Sequence, residues 1–137
     1  VGSPRLSDIP SSPCSISDLR DRPMVLFTRP SGGRTQLENT AAANNISIDV
    51  RFEAASPDVV KDFVRRGLAY AMMPYSSIFK EVENGELIVS EFKGFELTRT
   101  FIRRTDRASS PAIDAISTQI REEFQAMTTE GVFGTRD

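Results

Sequence analysis

Residues 27–36, FTRPSGGRTQ, carry the pattern in this sequence that most suggests chemistry. A short apolar strand runs into a Pro-Ser-Gly-Gly turn that opens a helix. That order makes an anion cradle, because free backbone N–H groups and the positive end of the helix dipole point at one spot. It is not a nucleotide loop. A P-loop needs G-x-x-x-x-G-K-[ST] and a dinucleotide fold needs G-x-G-x-x-G, whereas Gly32-Gly33 is followed here by Arg34 and Thr35. The plain alternative is a turn whose glycines let strand and helix pack closely. Other candidates offer less. Glu122 and Glu123 are adjacent on a helix and so diverge, while Glu81, Glu83 and Glu86 read as a solvated charge run. Asp58 and Asp62, with Lys61 and Arg65 nearby, read as surface charge and dipole partners. Cys14 is the only cysteine and has no base near it in sequence. With one cysteine and no histidine, a disulfide framework, a thiolate metal cluster and the Ser-His-Asp and Cys-His hydrolases are excluded within this chain. No metal or cofactor is expected.

The elements that must position such a turn are legible from their punctuation. Residues 1–22, rich in Ser, Pro and Asp, read as linker or loop with one short turn at Ser17–Leu19. Met24–Thr28 is a continuous apolar run, suited to a strand covered on both faces, and Ser31 caps a helix that runs to Asn44. Then Ile48, Val50 and Phe52 alternate with Ser47, Asp49 and Arg51, as in an edge strand with one wet side. Ser56 and Pro57 open a second helix, stopped by Gly67. The run AYAMM, ended by Pro74, is a third strand; YSSIFKEVENG is a short helix; ELIVSEF is a fourth strand. This order argues a doubly wound, mostly parallel α/β sheet. In such sheets ligands gather beyond the carboxyl ends of the strands, so Thr28–Gly32 and Ala54–Ser56 should share one rim. LTRTFIRR reads as a further strand, with Arg99, Arg103, Arg104 and Arg107 on and after it as solvated charges. Ser110 and Pro111 open a last helix on which Ile113, Ile116, Ile120, Phe124 and Met127 form one stripe that must be buried against something.

Seventeen basic against nineteen acidic residues give a net charge of −2, so no global field draws the chain to nucleic acid or to an anionic membrane. No apolar run approaches the roughly 20 residues that span a bilayer. The chain reads as soluble.

DLRDRPMVLFTRPSGGR, ISIDVRFEAASPDVVKDFVRRGLAYAMMPYSSI and GELIVSEF together resemble the effector-binding domain of LysR-type transcriptional regulators. The features carrying the resemblance are a Leu-x-x-x-Pro entry to an apolar strand, the Arg-Pro-x-Gly-x-Arg turn, a Val-x-x-Gly-Leu helix stop, an apolar-Pro strand end and Gly-x-Leu before the next strand. Ala69 stands where the family usually has glycine. The resemblance implies a periplasmic-binding-protein-like (type II) fold. Residues 1–22 would be the crossover segment, 23–104 subdomain two with its return strand, 105–128 a terminal helix of subdomain one, and 129–137 a tail. It also implies a small effector, an organic carboxylate or other anion, in the cleft between subdomains. The lip of that cleft would comprise Thr28, Arg29, Pro30, Ser31, Gly32, Gly33, Arg34, Ala55, Ser56 and Pro74. Thr28 and Ser31 would offer hydroxyls, Gly32 and Gly33 amides, and Arg29 or Arg34 a bidentate grip. Partners implied are a second copy, as dimer or tetramer, and DNA through a separate N-terminal domain, in a cytoplasmic, non-enzymatic protein. A solute-binding protein of a transporter would share the fold and the lip.

Overall fold

The computed structural model describes residues 1–6, 8–96, 98, 100–104 and 110–132, and it divides into two units, Val1–Leu97 and Thr98–Asp137. In the first unit, β1 (Pro23–Phe27) leads into α1 (Gly32–Ala43), and β2 (Asp49–Ala54) into α2 (Pro57–Arg65). A 3₁₀ turn at Tyr75–Ser77 then precedes the short α3 (Phe79–Glu83). β1 and β2 are parallel, with Phe27 opposite Ala54. The architecture is α/β around a parallel sheet.

β1 is apolar without interruption because both of its faces are covered. Met24 and Leu26 pack with Leu37 and Ala41 of α1, while Val25 packs with Val60 and Val64 of α2, Ile78 and Leu87. The helices begin where the sequence punctuates them. Ser31 Oγ accepts the Arg34 N–H at 3.4 Å, Pro57 opens α2, and Asn45 and Gly67 take positive φ just past the two helix ends.

In the first unit three expectations change. Ile48, Val50 and Phe52 do not share a face: Ile48 and Val50 pack on the α1 side, Phe52 on the α2 side. The register slips between Met24 and Val25, which pair with Val50 and Phe52, so a bulge at Arg51 turns the strand over. The third and fourth strands are extended stretches joined by single bridges rather than ladders. Tyr70 bridges Met24 in parallel, Ile88 bridges Gly2 antiparallel, and Phe92 bridges Cys14. The Ala71 N–H donates to Val1 O at 3.1 Å, so hydrogen bonds run across β2, β1, Tyr70–Ala71, Val1–Gly2 and Ile88 in turn. Residues 1–22, irregular as expected for a loop, are nonetheless built into the core. Cys14, Ile16 and Leu19 are buried, the last two in a 3₁₀ turn at Ile16–Leu19.

The second unit contains α4 (Pro111–Thr129), capped by Ser110 Oγ, which accepts the Ile113 N–H at 3.3 Å. Arg103 pairs with Asp114 at 2.8 Å, and Val132 is buried where Gly131 ends the helix. Much of the apolar stripe is open: Ile116 is 61% exposed, Ile113 and Phe124 are exposed as well, and Ile120 and Met127 are half-buried. No strand forms among the described residues 98 and 100–104. Ile102 there is 83% exposed, and alternation without a buried face does not hold a strand. Arg99, Arg107 and residues 133–137 lie outside the described residues.

Candidate functional site: the lip at the ends of the parallel strands

Parallel pairing of Phe27 with Ala54 sets Thr28 beside Ala55, and the Thr28 N–H donates to Ala54 O at 3.1 Å. Counting four residues forward from the parallel Met24–Tyr70 bridge brings Pro74 to the same end of the sheet as Thr28. The N-termini of α1 and α2 therefore open on one rim. Thr28, Arg29, Pro30, Gly32, Ala55 and Ser56 are exposed there; Ser31, Gly33 and Pro74 are half-buried.

The two glycines are not explained by close packing. A Cβ on Gly32 or Gly33 would meet nothing within 4 Å, and neither residue has a positive φ. As the first residues of α1, both have amides without an intrahelical acceptor. Ser31 is partly engaged as the cap, whereas Ser56, in the same position on α2, makes no capping hydrogen bond.

The two arginines differ sharply. Arg34, with 8% of its side chain exposed, is surrounded by acceptors from three elements. Its Nε donates to Glu38 Oε1 at 2.9 Å, Nη1 to Phe27 O at 3.0 Å and Nη2 to Glu53 Oε1 at 2.8 Å. Those bonds, Glu53 first, push its already high pKa further up, and they hold the Glu53 and Glu38 carboxyls below the usual carboxylate range. Arg29 is 67% exposed and makes one ion pair, Nη2 to Glu38 Oε2 at 2.6 Å. Arg34 thus clasps the end of β1, α1 and β2 together, and its guanidinium faces inward. The Arg34–Glu38 pair was visible as an i,i+4 spacing. Glu53, nineteen residues from Arg34, left no local signal.

A second ionic cluster stands apart from the turn residues. Glu81, read as solvated, has 14% of its side chain exposed; it accepts from Lys61 at 2.7 Å and pairs with Arg65 at 3.2 Å. Lys61 also pairs with Asp58 at 3.2 Å, and Arg65 with Glu86 at 2.9 Å. The cluster fastens α3 to α2 and depresses the Glu81 carboxyl, mainly through Lys61. Cys14 is buried, which pushes its thiol pKa up. It lines a cavity of about 40 Å³ with Met24, Tyr70 and Phe92 that includes no residue of the turn. Among the described residues no group of His, Cys, Asp and Glu is placed to hold a metal ion, and no helix is long and apolar enough to cross a membrane.

A parallel α/β unit with an open, amide-bearing lip beyond its strand ends is the architecture of a ligand-binding domain. The chain belongs to the LysR substrate binding domain family, which matches residues 1–125. Its relatives are transcriptional regulators rather than transporter solute-binding proteins. It is 27% identical over 136 residues to the HTH-type transcriptional regulator BbuR of Bordetella bronchiseptica, covering 96% of this chain and 41% of that protein. It is 32% identical over 83 residues to the RuBisCO operon transcriptional regulator of Acidithiobacillus ferrooxidans, covering 61% and 27% of the two. The HTH-type transcriptional activator CmpR of Synechocystis is 28% identical over 85 residues, covering 62% of this chain and 28% of that one. The chain therefore spans about two fifths of the first relative's length and less than a third of the other two.

Proposed function

We propose that this chain is the part of a transcriptional regulator that senses a small organic anion, and that the lip at Thr28–Gly33 and Ala55–Ser56 is one wall of the effector site. The observation that carries the reading is the pair of glycines at the start of α1, which neither packing nor backbone conformation requires and whose amides stand in the helix's first turn, where they have no intrahelical acceptor. Amides and hydroxyls there bind rather than react, and the domain acts as a switch that releases its ligand unchanged, a reading supported by relatives that are transcriptional regulators. The full regulator assembles with further copies and couples effector binding to DNA through a separate domain. A coupling of about 1–3 kcal/mol biases such an equilibrium roughly 5- to 150-fold.

Screening organic acids by thermal shift on this chain tests the reading. Acids that raise the wild-type midpoint should lose that effect in Thr28→Ala/Ser31→Ala, whose unliganded fold is retained, and should be recovered chemically intact. An undiminished shift in the double variant removes the lip from the site.

A further inference from the structure

Both arginines of the turn could in principle hold an anion, and their surroundings separate them. Turning Arg34 outward would break three hydrogen bonds at once and leave the Phe27 carbonyl without its guanidinium donor. Turning Arg29 outward breaks one. Glu38 would not be stranded by that movement, because its other oxygen keeps the Arg34 Nε at 2.9 Å. Glu38 therefore has two partners of unequal permanence: one fixed and buried, one exposed and exchangeable.

Resting on the effector-site reading above, we infer that Arg29 is the arginine that meets the effector's carboxylate and that Glu38 competes with the effector for it. Arg34 is a positioning residue that keeps the amides of Gly32 and Gly33 in place while Arg29 changes partner. In the exchange the carboxylate of Glu38 is replaced on Arg29 by that of the ligand, and no covalent bond changes. An exposed ion pair is worth little, so removing the competitor should tighten carboxylate binding by about two- to five-fold.

The test is a titration of the ¹⁵N-labelled chain with sodium acetate, matched to sodium chloride at equal ionic strength, followed through backbone amides and arginine Nε–H signals. Wild type, Glu38→Gln and Arg29→Gln are compared; the glutamine that replaces Glu38 still offers Arg34 an acceptor. The inference expects acetate to move the Ser31–Gly33 amides and the Arg29 Nε signal while the Arg34 Nε signal stays put, with binding tighter in Glu38→Gln and weaker in Arg29→Gln. Lip amides that respond with equal affinity in all three proteins, or a response at Arg34 in place of Arg29, overturn the inference and leave the effector-site reading standing. Lip amides silent to acetate in all three overturn both.

Discussion

Replacing Tyr70 by phenylalanine removes one oxygen from a junction that ties the N-terminal segment to the sheet. The phenol is buried, with the residue only 5% exposed. Its hydroxyl donates to Asp8 and accepts from Arg22 Nη1 at 3.2 Å, while the Arg22 guanidinium lies 5.2 Å from the ring centroid. Burial, then the bond to Asp8, pushes the Tyr70 pKa from 10.0 up to about 12. At about 1.36 kcal/mol per pKa unit, this shift corresponds to roughly 3 kcal/mol between the two protonation states. At pH 8 the phenol is protonated in both folded and unfolded chains. There the variant loses a hydrogen bond to a charged group, worth about 1.5–3 kcal/mol.

Between pH 10 and 12 the balance changes. The unfolded tyrosine gives up its proton at its ordinary pKa while the folded one keeps it, so wild-type stability falls as pH rises through this window. The Tyr70→Phe variant has nothing to titrate at this position, and every other group is common to both proteins. Urea unfolding followed by far-UV circular dichroism at pH 8 and pH 11 should therefore show the wild-type advantage shrink by about 1.4 kcal/mol, one pKa unit's worth. An advantage equal at the two pH values would refute the claim that the hydroxyl is held protonated by its site.

Arg34→Met, which keeps the apolar stem and removes the donors, should lower stability by about 1–3 kcal/mol, set chiefly by the Phe27 carbonyl left without its partner; Arg34→Lys should recover only part of this in urea midpoints, since an ammonium cannot serve three acceptors in fixed directions. Glu81→Gln should cost about 1–2 kcal/mol at pH 7, between the ranges for exposed and buried pairs. Because the folded Glu81 carboxyl is depressed below its ordinary 4.5, that contribution is complete above pH 4.5 and is lost as pH falls through the folded value. Unfolding curves of the wild type and of Glu81→Gln should converge in acid.

What the sequence showed and what it hid divide along a physical line. Helix starts were legible because their causes are local: Ser31, Ser56-Pro57 and Ser110-Pro111 each supply a cap or a fixed φ within one turn. Continuous apolarity in β1 correctly reported cover on two faces. The facing of β2 was hidden, since a bulge at Arg51 leaves the alternation of types intact while reversing the side each residue takes. Residues 1–22 looked like a linker because their polar content is high; the few apolar side chains among them, Leu6, Ile9, Ile16 and Leu19 included, are placed by long-range contacts. The charge run at Glu81 looked solvated for the same reason, as its partners Lys61 and Arg65 lie on another helix.

The lip shows why the motif alone does not distinguish its own parts. Read as a string, Arg-Pro-Ser-Gly-Gly-Arg offers two equivalent cations to a ligand. Folding makes them unequal: the helix carries Arg34 back under the turn, where Phe27 and two glutamates enclose it, and leaves Arg29 on the outside of the strand end. With both glutamates ionised, the cluster of two arginines and two carboxylates carries no net charge. The lip therefore holds no surplus positive charge with which to attract anions indiscriminately. On the proposed reading, selectivity comes from directed donors, the amides of Gly32 and Gly33 and the hydroxyls of Thr28 and Ser31 beside an exchangeable Arg29, held in a frame that Arg34 fixes. Preorganisation of that kind lowers the entropic cost of binding, and its signature is a loss of affinity in Arg34→Lys that exceeds what its loss of stability alone accounts for.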